Sequence, residues 1–131
     1  MITVITFGVF DLLHFGHINL FRRAKSFGDY LVVAVQNNID AVKNKPGVKL
    51  IDTFNIRKQK VMHCDYVAKV IEYSQIDEDI KKIGFDVLIV GGDQNNIHFQ
   101  NAIKWCKTHH KEVVFLPRTE GISSSDLRDK I

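Results

Sequence analysis

The sequence predicts an α/β fold: one domain over residues 1–131 with a doubly wound, five-stranded parallel sheet. Three observations carry this. Short runs rich in Val, Ile and Leu alternate with segments of helical periodicity. The runs are apolar throughout, as in strands covered on both faces. Helical segments of 8 to 13 residues separate the strands, which suits right-handed crossovers and a Rossmann-like arrangement.

Residues 2–7, ITVITF, form the first strand and enter Gly8, which lets the chain turn. Residues 17–27 place Ile18, Phe21, Ala24 and Phe27 along one face and stop at Gly28-Asp29, predicting an amphipathic helix with a C-terminal glycine. YLVVAV at 30–35 is the second strand. Residues 36–52 are polar, contain Pro46-Gly47 and carry Lys43, Lys45 and Lys49, the pattern of a long functional loop. A helix at 54–64, a short strand at 66–71 and a helix at 77–83, ended by Gly84, follow. FDVLIVGG at 85–92 is the fourth strand, 97–109 a helix, and EVVFLP at 112–117 the fifth strand. A last helix runs from Ser123 to the C-terminus.

With 131 residues, 45% apolar and 25% charged, the chain has the composition of one globular domain, which excludes disordered and collagenous classes. A net charge of +3 is too small for a nucleic-acid footprint and suits a small anionic ligand. No run reaches the length of a membrane span, and MITVITFGVF lacks the features of a signal peptide, so a cytoplasmic location is expected. Cys64 and Cys106 lack metal or redox spacing and are expected as free thiols.

Ligands of such sheets bind beyond the carboxyl ends of the strands. The loops there, 8–16, 36–52, 91–96 and 118–123, hold nearly every unusual residue in the chain. Neither a dinucleotide-binding G-x-G-x-x-G nor a P-loop follows the first strand. Instead His14-Phe15-Gly16-His17 sets an imidazole on each side of a glycine at a helix start, where backbone N–H groups favour an anion. Three interpretations fit that position: a phosphate clamp with Gly16 allowing close approach, a helix cap beside a surface residue, and half a metal site. A zinc site needs further ligands, and no metal-ligand set is evident. Arg118-Thr119-Glu120-Gly121-Ile122-Ser123-Ser124-Ser125 brings a guanidinium, hydroxyls and another helix start to the same end of the sheet.

G-x-F-D-L-L-H-x-G-H at 8–17 with R-T-E-G-I-S-S-S at 118–125 resembles the small cytidylyltransferases of the HxGH nucleotidyltransferase superfamily, most closely their glycerol-3-phosphate branch. The similarity extends through GDYLVVA at 28–34, Lys43-Asn44-Lys45 and Arg57. It implies that CTP and a phosphomonoester, glycerol-3-phosphate or a related polyol or sugar phosphate, give a CDP-linked product and pyrophosphate. A phosphomonoester, with a second pKa of about 6, is itself a nucleophile at neutral pH, which accounts for the missing nucleophile triad.

By that resemblance His14, His17, Lys45 and Arg118 act on the triphosphate and the transition state. Val9, Phe10, Asp11, Gly16, Asp93, Thr119, Gly121, Ile122, Ser123 and Ser124 surround the nucleotide, Asp11 either by holding the loop or by a contact behind the residues that touch the ligand. Lys43 and Arg57 receive the acceptor phosphate. Mg²⁺ is expected on the nucleotide phosphates, and the chain is expected as a homodimer without nucleic-acid or membrane partners. The same superfamily includes ATP-using adenylyltransferases, and a catalytically silent nucleotide-binding subunit is a further alternative. Asp65 stands where relatives carry an arginine, Val9 where they carry a small hydroxyl residue, and Gly91-Gly92-Asp93-Gln94 where they carry G-D-D-W. Acceptor choice is therefore expected to lie in the loops. There the amides of 94–96 either read hydroxyls or cap the next helix.

Overall fold

Thr3–Gly8 forms β1 at the centre of a parallel sheet, flanked by β2 (Tyr30–Gln36) on one side and β4 (Val87–Gly91) on the other. β3 (Lys69–Tyr73) lies beyond β2 and β5 (Glu112–Leu116) beyond β4, giving the order β3-β2-β1-β4-β5. The helices are α1 (Phe15–Lys25), α2 (Asn38–Asn44), α3 (Phe54–Met62), α4 (Ile76–Asp79), continued by a 3₁₀ turn at Ile80–Lys82, and α5 (Ile97–Thr108). The expected α/β class and five-stranded parallel sheet are present. This computed structural model describes residues 1–92 and 94–117; the helix expected from Ser123 lies outside them. Among the described residues no helix is long and apolar enough to cross a membrane.

Alternation along the strands builds two cores. Ile5, Phe7, Val32, Ala34, Leu88 and Val90 face α4 and α5, meeting Ile76, Ile80, Phe99, Ala102 and Cys106. Val4, Leu31, Val33, Val35, Val87 and Ile89 face the other way onto Phe21 and Ala24 of α1 and Val61 of α3. The helices therefore cover both faces, which leaves the strand ends as the place for a ligand.

Several expected boundaries move. α1 begins at Phe15 because His14 is its N-cap. Within the expected long loop, Asn37 accepts the Asp40 N–H and starts α2. β3 begins at Lys69, later than expected, since Val67 N–H still closes a turn onto the Cys64 carbonyl. Nor is Gly28 a left-handed helix stop, because the cap of α1 is Ser26 in a right-handed conformation. Gly28 is needed for room: a Cβ there would lie 2.6 Å from Val4 Cγ2 and 2.8 Å from the Ile2 carbonyl. Gly28→Ala is expected to destabilise the fold by about 1–3 kcal/mol through overpacking. Urea unfolding checks this, and an unchanged midpoint would contradict it.

Candidate active site

The strand order reverses between β1 and β4, so the crevice at a switch point opens beyond Gly8 and Gly91. The chain leaves β1 through two left-handed residues, Phe10 (φ 56°) and Leu12 (φ 49°). The turn expected at Gly8 is thus made by its successors, while Gly8 supplies space: a Cβ on it would meet the Phe10 ring at 2.7 Å. Phe10 is buried and packs edge-on against Phe21 and His17, with centroids 5.2 Å and 5.4 Å apart. Its side chain packs beside His17 and is largely buried.

His14 and His17 form a reciprocal cap on α1. The Gly16 N–H donates to His14 Nδ1 at 3.0 Å, and the His14 N–H donates to His17 Nδ1 at 3.2 Å. The rings stack with centroids 3.9 Å apart and 22° between planes. Histidine thus takes the places that Ser or Thr and Glu or Gln hold in an ordinary capping box. The chemical consequence lies on the opposite edges of the rings. An Nδ1 that accepts an N–H carries no proton, so in each neutral imidazole the proton sits on Nε2. The cap uses the Nδ1 edges of the two rings, so the clamp, its alternative in the sequence, is compatible with it. Gly16 contributes differently than expected, since its N–H serves His14. The positive end of α1 is relayed through the ring to an Nε2–H donor.

A second layer fixes the loops around this pair. Asp11 is buried and its carboxylate accepts the N–H groups of Ile51, at 3.0 Å, and Asp52, at 2.8 Å, tying the segment before α3 to the loop after β1. The loop-holding role expected of Asp11 is therefore visible. Arg57, on the first turn of α3, is completely buried. Its Nη1 donates to the carbonyls of Val9, at 2.7 Å, and Gln36, at 2.8 Å, and its Nη2 to Asn38 Oδ1. Burial pushes the guanidinium below its ordinary pKa, against the opposing pull of Asp11 and Asp52. In this arrangement Arg57 does not present an open fork to an acceptor phosphate. It joins the exits of β1 and β2 through backbone carbonyls, and the Val9 carbonyl is one of those it holds. Among the described residues, Arg57 Nε has no hydrogen-bond partner.

Lys43 and Lys45 are exposed at the end of α2, and neither makes an ion pair among the described residues. Both stay at the ligand end of the sheet, because α3 starts there beside Asp11. Asp65 lines a groove of about 350 Å³ with Leu13, Ile18, Lys60 and Tyr66, on the side where α1 meets α3. Asp93, Arg118, Thr119, Gly121, Ile122, Ser123 and Ser124 lie outside the described residues. The thiol of Cys106 is buried and pushed up to about 11 by that burial, which leaves it a packing group.

Two contributions escape the sequence pattern. Gln94 spans the switch point itself: its Oε1 accepts the Gly91 N–H at 2.9 Å and its Nε2 donates to the Phe7 carbonyl. Its amide is thus a brace between β1 and β4, while Asn96 caps α5 by accepting the Phe99 N–H. The amides of Gln94 and Asn96 thus serve the backbone. The other contribution is Asn38, the side chain that meets Arg57 Nη2. Nothing in a polar stretch distinguishes such an asparagine from its neighbours.

The Cytidylyltransferase-like family profile matches residues 5–130. The chain is 39% identical over 131 residues to a glycerol-3-phosphate cytidylyltransferase of Bacillus subtilis, covering 98% of this chain and 95% of that one. An FAD synthase of Pyrococcus abyssi is 38% identical over 97 residues, 72% of this chain and 65% of the relative. Among solved structures, the lipopolysaccharide core biosynthesis protein of Thermoplasma volcanium superposes with a TM-score of 0.76 at 27% identity, covering 92% of this chain and 99% of that one.

Proposed function

Because the chain belongs to the cytidylyltransferase-like family of nucleotidyltransferases, we propose that it transfers the cytidylyl group of CTP to a phosphomonoester, glycerol-3-phosphate or a related polyol phosphate, and releases pyrophosphate. An oxygen of the acceptor phosphate attacks the α-phosphorus in line. The bond from that phosphorus to the β-phosphate bridging oxygen breaks, and pyrophosphate leaves with the electron pair. The enzyme forms no covalent bond, so its work is positioning and charge stabilisation.

The observation that carries this proposal is the paired cap of His14 and His17. Triphosphate oxygens are acceptors only, and the pair supplies donors, two Nε2–H groups held by backbone N–H bonds at a helix start. Lys45 and Arg118 neutralise the outer phosphates, Lys43 meets the acceptor phosphate, and Ser123 and Ser124 add donors. Arg57 acts as a positioning residue through Val9 and Gln36, a change of role from the one its sequence context implies. Among the described residues no group of three His, Cys, Asp or Glu gathers around a metal position. Mg²⁺ would be held mainly by triphosphate oxygens and water and would add charge neutralisation.

A second nucleotide, ATP, has support from the similarity to an FAD synthase, whose product contains an adenylyl group. The test is pyrophosphate release with CTP and ATP in parallel, Mg²⁺ present, over a panel of phosphomonoesters. Release with CTP and a polyol phosphate is expected. Release with ATP alone would replace the base assignment, and nucleotide binding without release from any acceptor would make the chain a binding subunit.

A further inference from the structure

At the ligand end of the sheet, the first turns of α4 and α5 meet. His98 Nδ1 lies 3.1 Å from both carboxylate oxygens of Asp77, and Asn101 Nδ2 donates to Asp77 Oδ2 at 3.2 Å. The helices that follow β3 and β4 pack together on one face of the sheet, with their first turns at its carboxyl edge. The shared core beneath, with Phe7, Ala34, Ile76 and Phe99, fixes this placement. The pair therefore stands behind the switch point, on the face opposite α1. Both side chains keep some exposure, 33% for His98 and 18% for Asp77.

The hydrogen-bond chemistry of this histidine is the reverse of the other two. A carboxylate only accepts, so His98 Nδ1 must donate, and in the neutral ring Nε2 then carries a lone pair. His14 and His17 accept at Nδ1 and donate at Nε2, which matches phosphate oxygens. His98 donates at Nδ1 and accepts at Nε2, which matches a hydroxyl and does not match a phosphate. Gln94 is occupied by the backbone and Asn96 Oδ1 caps α5, whereas His98 is held in one orientation by a carboxylate, which makes it a preorganised acceptor in the 94–98 segment.

We propose that His98, oriented by Asp77, accepts a hydrogen bond from a hydroxyl of the acceptor, so that the protein selects hydroxylated phosphomonoesters. The proposal rests on the nucleotidyl-transfer function above. His98 is then a specificity-determining residue and Asp77 a positioning residue.

The test compares glycerol-3-phosphate with propyl phosphate, which has the same chain without free hydroxyls, by pyrophosphate release at saturating nucleotide. The wild-type protein is expected to prefer glycerol-3-phosphate. In His98→Ala that preference, measured as the ratio of kcat/KM values, falls about tenfold, the scale of one hydrogen bond. The change appears in the KM for the acceptor rather than for the nucleotide. Asp77→Asn conserves shape but offers an amide that can donate to Nδ1, which moves the ring proton to Nε2. It is expected to lower the ratio as well, which loss of helix packing alone would not do. An unchanged ratio in both variants overturns the proposal, and so does a wild-type protein that does not discriminate; both results leave nucleotidyl transfer standing. No pyrophosphate from any acceptor with CTP or ATP overturns the underlying function and this proposal together.

Discussion

Exchanging His14 for asparagine, or His17 for glutamine, is expected to lower kcat/KM by about a hundredfold or more while leaving the unfolding midpoint near that of the parent protein. The activity figure is the scale of losing one donor aimed at developing charge. The stability expectation follows from the cap. Asparagine is among the best N-cap residues and glutamine is an ordinary third-position partner in a capping box, so each keeps the bond that the histidine Nδ1 now makes. Neither reproduces an imidazole Nε2–H on the far side. Alanine at position 14 loses both functions and is expected to cost about 1 kcal/mol of stability in addition. Steady-state pyrophosphate release and thermal unfolding, measured on the same preparations, check the pair. Asparagine and glutamine variants with full activity would show that capping is all these histidines do.

The second large effect is expected at Arg57. Removal of the guanidinium by Arg57→Met leaves the carbonyls of Val9 and Gln36 without this donor and takes away a charge that acts on Asp11 and Asp52. A buried carbonyl left without its donor costs about 1–3 kcal/mol, so the two together cost about 2–6 kcal/mol. Against a total folding stability of about 5–15 kcal/mol, that is a major fraction. Arg57→Lys is expected to recover only part, because one ammonium group cannot reproduce a planar fork that reaches Val9, Gln36 and Asn38 together. Urea unfolding distinguishes this from a direct role on substrate. A stability near wild type with a raised KM for the acceptor would return Arg57 to the acceptor phosphate and contradict its place in the structure.

Most of the fold was legible because strand patterns are local. ITVITF, YLVVAV and the run at 85–92 announce themselves as buried strands; β4 falls within its run, and β1 and β2 each extend one residue past theirs, to Gly8 and Gln36. α2 was not legible, since its start depends on whether the Asn37 side chain turns back onto Asp40 N–H, and asparagine serves loops and caps equally. The two glycines tell a similar story. Gly8 and Gly28 look like turn residues in sequence, but their need for a missing Cβ comes from Phe10, Ile2 and Val4, which approach only after folding.

The site divides along the same line. His14 and His17 stand out by their spacing and Asp11 through the family resemblance, and the structure gives each a partner and an orientation. Arg57 has a meaningful position in the sequence, yet its direction is set by carbonyls 21 and 48 residues away. The tie between Asp77 and His98 spans 21 residues and two helices, so no local pattern contains it.

Long-range ¹H–¹⁵N correlation of the imidazole rings, recorded with and without CTP, tests the two-histidine clamp most directly. The account predicts that both His14 and His17 are protonated at Nε2 and unprotonated at Nδ1 in the free protein, and that the triphosphate shifts the two Nε2 resonances. Protons on Nδ1, or Nε2 resonances that stay unmoved when nucleotide binds, would contradict it.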